Sequence, residues 1–136
     1  MLRYFKGLRR RLPRKPRQST IPLDALSASD FQLDDLVTQY GVPRYCKIDV
    51  EGYELEVISG LSRRVGILSF EFTREFMENA LLAVEKLIAL GYRRFNLSVG
   101  EQEGFHFPQW VPYYELAATL SASRNTPDLW GDIYAN

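Results

Sequence analysis

The chain has 136 residues, 46% hydrophobic and 13% aromatic, enough for one packed domain and too apolar to stay disordered throughout. Its 17 Lys and Arg balance 17 Asp and Glu, but residues 1–18 hold eight of the bases and no acid, so the remainder is strongly acidic. An acidic body repels phosphate and excludes a general nucleic-acid binder. The single Cys46 excludes an intramolecular disulfide framework and suits a reducing, cytoplasmic setting, and no apolar run is long enough to span a bilayer.

Residues 1–18 read as a basic, disordered arm, and residues 19–136 as the folded part. Leu2, Phe5, Leu8 and Leu12 also recur at helical spacing. A short basic helix against an anionic membrane surface is therefore an alternative for the arm, as is a transit peptide. Ser29 with Gln32 forms a capping box ahead of a helix whose stripe is Leu33, Leu36, Val37 and Tyr40, with Gly41 and Pro43 closing it.

Tyr45–Val50 reads as the first strand, Glu54–Ser59 as a short helix and Gly66–Phe72 as a second strand, apolar enough to be covered on both faces. Glu75–Leu90 reads as the longest helix, facing inward through Met77, Leu81, Val84 and Ile88. Gly91 caps it, with Tyr92 folding back as in a Schellman motif. A third strand at Arg94–Val99, an aromatic loop at Gly100–Pro112, a helix at Pro112–Ser121 and a last strand at Leu129–Ala135 complete the chain. Alternating strands and helices imply an α/β fold with parallel crossovers, the last strand returning antiparallel beside the third to close a sheet edge.

In such folds ligands lie beyond the carboxyl ends of parallel strands. Asp49 and Glu51 stand there, and while the backbone remains extended both leave the same face. Gly52 lets the chain turn or approach a ligand closely. Glu71 interrupts an apolar strand near its carboxyl end, facing either the Asp49 crevice or a structural partner such as Arg74. Asp49, Glu51 and Glu71 are therefore the candidate catalytic acids. Each also has a plain alternative, helix capping for the first two and a structural ion pair for the third. Glu54 and Glu56 read as solvated helix acids. His106 and Trp110, in the aromatic loop, are the candidate substrate-binding residues, with packing as their alternative. Cys46 reads as core. Two acids at this spacing are a thin basis for a divalent ion, and no metal is expected. A glycoside-hydrolysing pair would need its acids apart across a sugar-sized cleft.

Leu33-Asp-Asp-Leu36, Gly41-Val-Pro43, Lys47-Ile-Asp-Val-Glu-Gly-Tyr-Glu54, Gly60-Leu61, Ser69-Phe-Glu-Phe-Thr73, Leu90-Gly-Tyr92 and Trp130-Gly-Asp132 occur in an order that resembles the C-terminal half of FkbM-type methyltransferases. The resemblance implies a class I, Rossmann-like sheet of order 3-2-1-4-5-7-6 with its last strand antiparallel, the four strands here taking places 4 to 7. It also implies S-adenosylmethionine (SAM) as cofactor, with Asp49 and Gly52 toward it, and O-methylation of a hydroxyl on a sugar or secondary metabolite. The glycine-rich SAM loop of that family has no counterpart, since the only glycine before Asp24 is Gly7. A partial chain is thus expected, with a non-catalytic remnant or subunit as the alternative. A strand built for the sheet centre would then expose the Tyr45–Val50 edge to self-association or a complementing chain.

Overall fold

The computed structural model describes residues 32–136 together with the backbone of Tyr4–Phe5. Strands β1 (Tyr4–Phe5), β2 (Tyr45–Ile48), β3 (Ile67–Thr73), β4 (Phe95–Val99) and β5 (Trp130–Ala135) form one sheet of order β1-β2-β3-β5-β4. Helices α1 (Leu33–Tyr40), α2 (Glu54–Ser59), α3 (Met77–Ala89) and α4 (Tyr113–Ala122) connect them. No helix among the described residues is long and apolar enough to cross a membrane.

Strands β2 and β3 are parallel, and β5 is antiparallel to both β3 and β4. The last strand therefore does not close a sheet edge, as strand spacing suggested. It wedges between the second and third, bonded along its whole length on both sides. Gly131 makes this possible: a Cβ there would collide with the carbonyl oxygen of Ser98 on β4 and lie 3.1 Å from the Phe72 ring. Two further expectations are corrected at the other edge. Tyr4 and Phe5 lie in a strand, pairing with Lys47 and Cys46, so the arm is not disordered at those two residues and that stretch of the β2 edge is not open. The other residues of the arm, and Ser29 of the expected capping box, lie outside the described residues. Gln32 is itself the extended N-cap residue of α1 and makes no side-chain capping bond.

The sheet has two unlike faces, because side chains alternate along each strand. Cys46, Ile48, Leu68, Phe70, Phe72, Phe95, Leu97, Ile133 and Ala135 share one face and are buried with Val37, Ile58, Val84, Leu87 and Leu116 of the helices. Burial pushes the Cys46 thiol up to about 11, consistent with a core residue. The opposite face carries Tyr45, Lys47, Ser69, Glu71, Thr73, Asp132 and Tyr134, mostly half-buried. The second face of β3 is mostly polar, Ile67 apart, yet Ser69 on it is fully buried.

Helix α3 turns Met77, Ala80, Ala83, Val84 and Leu87 inward, while Leu81 and Ile88 are only partly buried. Two of the five buried positions are thus alanines. The helix ends as expected: Gly91 takes φ +102°, and the Tyr92 N–H donates to the Leu87 carbonyl at 3.1 Å. The buried Tyr92 hydroxyl then bonds the Val65 and Gly66 carbonyls at 3.2 and 3.0 Å, tying the end of α3 to the start of β3.

Candidate active site

Strand β2 stops at Ile48, two residues earlier than the apolar run suggests. The cause lies four residues beyond Val50. The Glu54 carboxylate accepts the Val50 N–H at 3.2 Å and the Gly52 N–H at 3.1 and 3.3 Å, which pulls the chain out of the strand. Glu51 is left at φ +53° and Gly52 at φ +100°. The backbone is not extended here, so the argument that Asp49 and Glu51 share a face does not hold. Glu51 reaches the same region through the turn instead.

Glu54 is only 7% exposed, so it is not the solvated helix acid its position suggested. Its ionised oxygens satisfy donors that the end of the strand would otherwise leave orphaned.

Across the sheet three acids come level. Lys47 stands opposite Ser69 and Ile48 opposite Phe70, so Asp49, the next residue, comes level with Glu71; Glu71 is in turn registered with Asp132 on β5. Like charges facing each other on neighbouring strands repel. The Lys47 ammonium answers this by reaching over β3 to Asp132 Oδ2 at 2.9 Å. Burial alone would lower the proton affinity of Lys47. The Asp132 hydrogen bond and the charges of Asp132, Asp49 and Tyr134 outweigh it, so its pKa sits above the usual lysine value. One strand position back, the Tyr45 hydroxyl and Ser69 Oγ share a 2.8 Å hydrogen bond.

Glu71 faces the Asp49 crevice, and Arg74 does not meet it: the Arg74 guanidinium lies 3.4 Å from Glu75 instead. The Glu71 carboxyl is held above the usual carboxylate range, first by burial, then by the charges of Asp49, Glu54 and Asp132, with Lys47 pulling the other way. Beside it opens a cleft of about 250 Å³ lined by Glu51, Gly52, Glu54, Leu55, Glu71 and Phe76, among others. One wall is therefore acidic and the other apolar.

His106 and Trp110 belong elsewhere. The loop after β4 runs back along that strand's outer edge, with the His106 N–H bonded to the Leu97 carbonyl at 2.7 Å and Val111 bridged to Phe95. The buried Asn96 side chain pins it, donating to the Phe107 and Gln109 carbonyls at 3.0 and 3.3 Å and accepting the Phe107 N–H at 3.1 Å. The edge of β4 is three strand spacings from the β2 end and two from β3, roughly 14 and 10 Å at about 4.8 Å each, though only one from Asp132 on β5. Neither His106 nor Trp110 lines the cleft beside Glu71. Trp110 packs instead near Phe105, which stands edge-on to Tyr134 at 4.9 Å.

Two participants escaped the reading of the sequence. Glu54 carries a faint signal, an acid four residues beyond a strand end and able to fold back onto it. The Lys47–Asp132 pair, 85 residues apart, carries no local signal.

The described residues do not by themselves fit SAM. At Gly52 the place of a Cβ is taken by the Phe76 ring, 3.2 Å away, so no bare backbone is offered to a ligand there. The cleft is also smaller than the roughly 300–1,000 Å³ usual for ligand sites, and its acids would repel the carboxylate of a methionine moiety.

Residues 11–107 match a family model described as the methyltransferase FkbM domain, over more than two thirds of the chain. No curated protein and no solved structure matches the chain significantly.

Proposed function

The chain belongs to the FkbM methyltransferase domain family, and from that premise we propose that the acid-lined cleft is the acceptor side of a SAM-dependent O-methyltransferase acting on a hydroxyl of a sugar or secondary metabolite. The observation that carries this reading is that Glu51 and Glu71 line one cleft near the carboxyl ends of the parallel strands β2 and β3, with Asp49 level with Glu71 beside it. The order β2-β3-β5-β4 with β5 reversed supports a class I methyltransferase sheet, since places 4-5-7-6 run the same way.

The chain's own part is proton handling and orientation. A hydroxyl becomes a competent nucleophile as its proton leaves, and a base works best when its proton affinity lies near the working pH. Glu71, raised above the ordinary carboxylate range, takes that proton. Asp49, one residue past the end of β2 and level with it, orients the hydroxyl. Lys47 remains charged and holds Asp132 in place, so the row of acids can persist next to the cleft. Phe76 and Leu55 offer an apolar wall for the face of a ring.

The test is transfer of labelled methyl from SAM to hydroxylated acceptors, paired with calorimetric titration of SAM. Label entering the acceptor, and falling about 100-fold in Glu71→Gln, supports the reading. Transfer unaffected by Glu71→Gln overturns the assignment of the base.

The misfit with SAM favours a second reading, a non-catalytic subunit that works with another chain. No heat of SAM binding, together with co-purification of a second polypeptide that restores transfer, would select it. The Tyr45–Val50 edge is one route for such pairing, although Tyr4–Phe5 already take up its Cys46–Lys47 stretch.

A further inference from the structure

Glu54 lines the cleft, yet it spends its carboxylate on the chain itself. It is buried, its oxygens accept the N–H groups of Val50 and Gly52, and it opens α2. The turn it clamps is not a relaxed one. Glu51, a residue with a Cβ, sits at φ +53°, a left-handed conformation that side-chain-bearing residues adopt rarely. Gly52 follows at φ +100° with the Phe76 ring packed against it, which blocks the turn from sliding toward α3. Such a conformation persists only where neighbours over-determine it, and here the neighbours are Glu54 and Phe76.

We propose that Glu54 is the positioning residue of the acid cleft: by clamping the Val50–Gly52 turn it sets Glu51 at the cleft rim, and it places a further carboxylate on the wall that Glu71 shares. This rests on the reading of the cleft as an acceptor site. The groups facing Glu71 are Lys47 and Asp49 at the β2 end, Glu51 and Glu54 around α2, and Asp132 on β5. Lys47 is committed to Asp132 and cannot screen Glu54 as well.

The two roles separate by substitution. Glu54→Gln keeps one acceptor oxygen for the Val50 and Gly52 amides while removing the charge; Glu54→Ala removes both. In the full chain, backbone amide exchange reads the clamp and a pH titration of the Glu71 side-chain carboxyl by NMR reads the charge. In Glu54→Ala the Val50 and Gly52 amides should exchange about tenfold faster, as expected for the net loss of one or two hydrogen bonds, with β3 and β5 amides unchanged. In Glu54→Gln the fold and those amides should stay close to the parent, and the Glu71 midpoint should fall.

Adding Glu51→Gly to Glu54→Ala should restore stability by relieving the left-handed residue. An unmoved Glu71 midpoint in folded Glu54→Gln overturns the proposal, as does unchanged amide exchange in Glu54→Ala. Should Glu54→Ala not fold, the Glu54→Gln titration decides alone. If the titration and exchange behave as stated while Glu71→Gln leaves methyl transfer untouched, Glu54 still positions the acids and the acceptor-site reading fails separately.

Discussion

Gly131→Ala should be among the most damaging single-methyl additions to this chain. The new Cβ would collide with the Ser98 carbonyl oxygen and sit 3.0 Å from its carbon, both atoms belonging to backbone, and 3.1 Å from the Phe72 ring. A flexible side chain could swing aside, but a strand carbonyl cannot. Relief requires β4 and β5 to separate by about 1 Å from a normal spacing of about 4.8 Å, which breaks two or three ladder hydrogen bonds at about 1 kcal/mol each. Strain on the Phe72 side of the core adds about 1 kcal/mol or more, and the smaller entropy loss of alanine returns about 0.5–1 kcal/mol. The net is about 3 kcal/mol, a large share of the 5–15 kcal/mol typical of a domain.

Urea unfolding followed by circular dichroism would register this as a midpoint lowered by about 1.5 M at a slope of about 2 kcal/mol/M. Gly104→Ala, where nothing lies within 4 Å of the added Cβ, is the control for strain at φ +91° without a clash. It should cost about 1 kcal/mol. A Gly131→Ala protein within about 1 kcal/mol of the parent would refute the wedged placement of β5.

Three other outcomes are expected. Tyr92→Phe strands the Val65 and Gly66 carbonyls and the Val65 N–H that its hydroxyl now bonds, and should cost about 2 kcal/mol in the same urea experiment. A double-mutant cycle over Lys47→Met and Asp132→Asn should return a coupling of about 1 kcal/mol, because the pair is half-buried and bonded at 2.9 Å but not fully withdrawn from water. Glu71→Gln should stabilise the chain at neutral pH. The Glu71 pKa is raised on folding, so the folded state holds its proton more tightly; that contribution is complete below the unfolded carboxylate value and is lost as pH rises through the folded one. The stability difference between the two proteins should therefore vanish in acid and appear as pH increases through that window. The opposite trend would mean that Glu71 is favourably paired as a carboxylate.

Local signals in the sequence located most elements and some of their ends. Leu55, Ile58 and Gly60 were enough to place α2, and Gly91 with Tyr92 gave the end of α3, because caps and turns are decided within a few residues. What failed was decided at a distance. Val50 looks like strand, but a carboxylate four residues away claims its N–H. The inner face of α3 was assigned to its large apolar residues, whereas Ala80 and Ala83 are buried there and Leu81 and Ile88 only partly, an arrangement fixed by what the helix packs against. Strand spacing alone put β5 at a sheet edge; the order implied by the resemblance put it between β3 and β4, where it lies and where Gly131 avoids a carbonyl on the neighbouring strand.

The same division runs through the candidate site. Asp49 and Glu71 could be foreseen from their places at strand ends, since parallel strands carry such positions to a common edge. The distance of His106 and Trp110 from them could not, because the loop that bears them folds back along β4 under the control of one buried Asn96. The Lys47–Asp132 bond joins residues brought together only by the completed sheet.

The most direct test of the cleft as the place where an acceptor binds is two-dimensional amide NMR of the labelled chain titrated with hydroxylated sugars. Chemical-shift changes concentrated at Val50–Leu55 and Glu71–Ala80, and lost in Glu71→Gln, are the expected result. Changes centred on Phe105–Trp110 and the outer edge of β4, with the strand-tip acids silent, would contradict it.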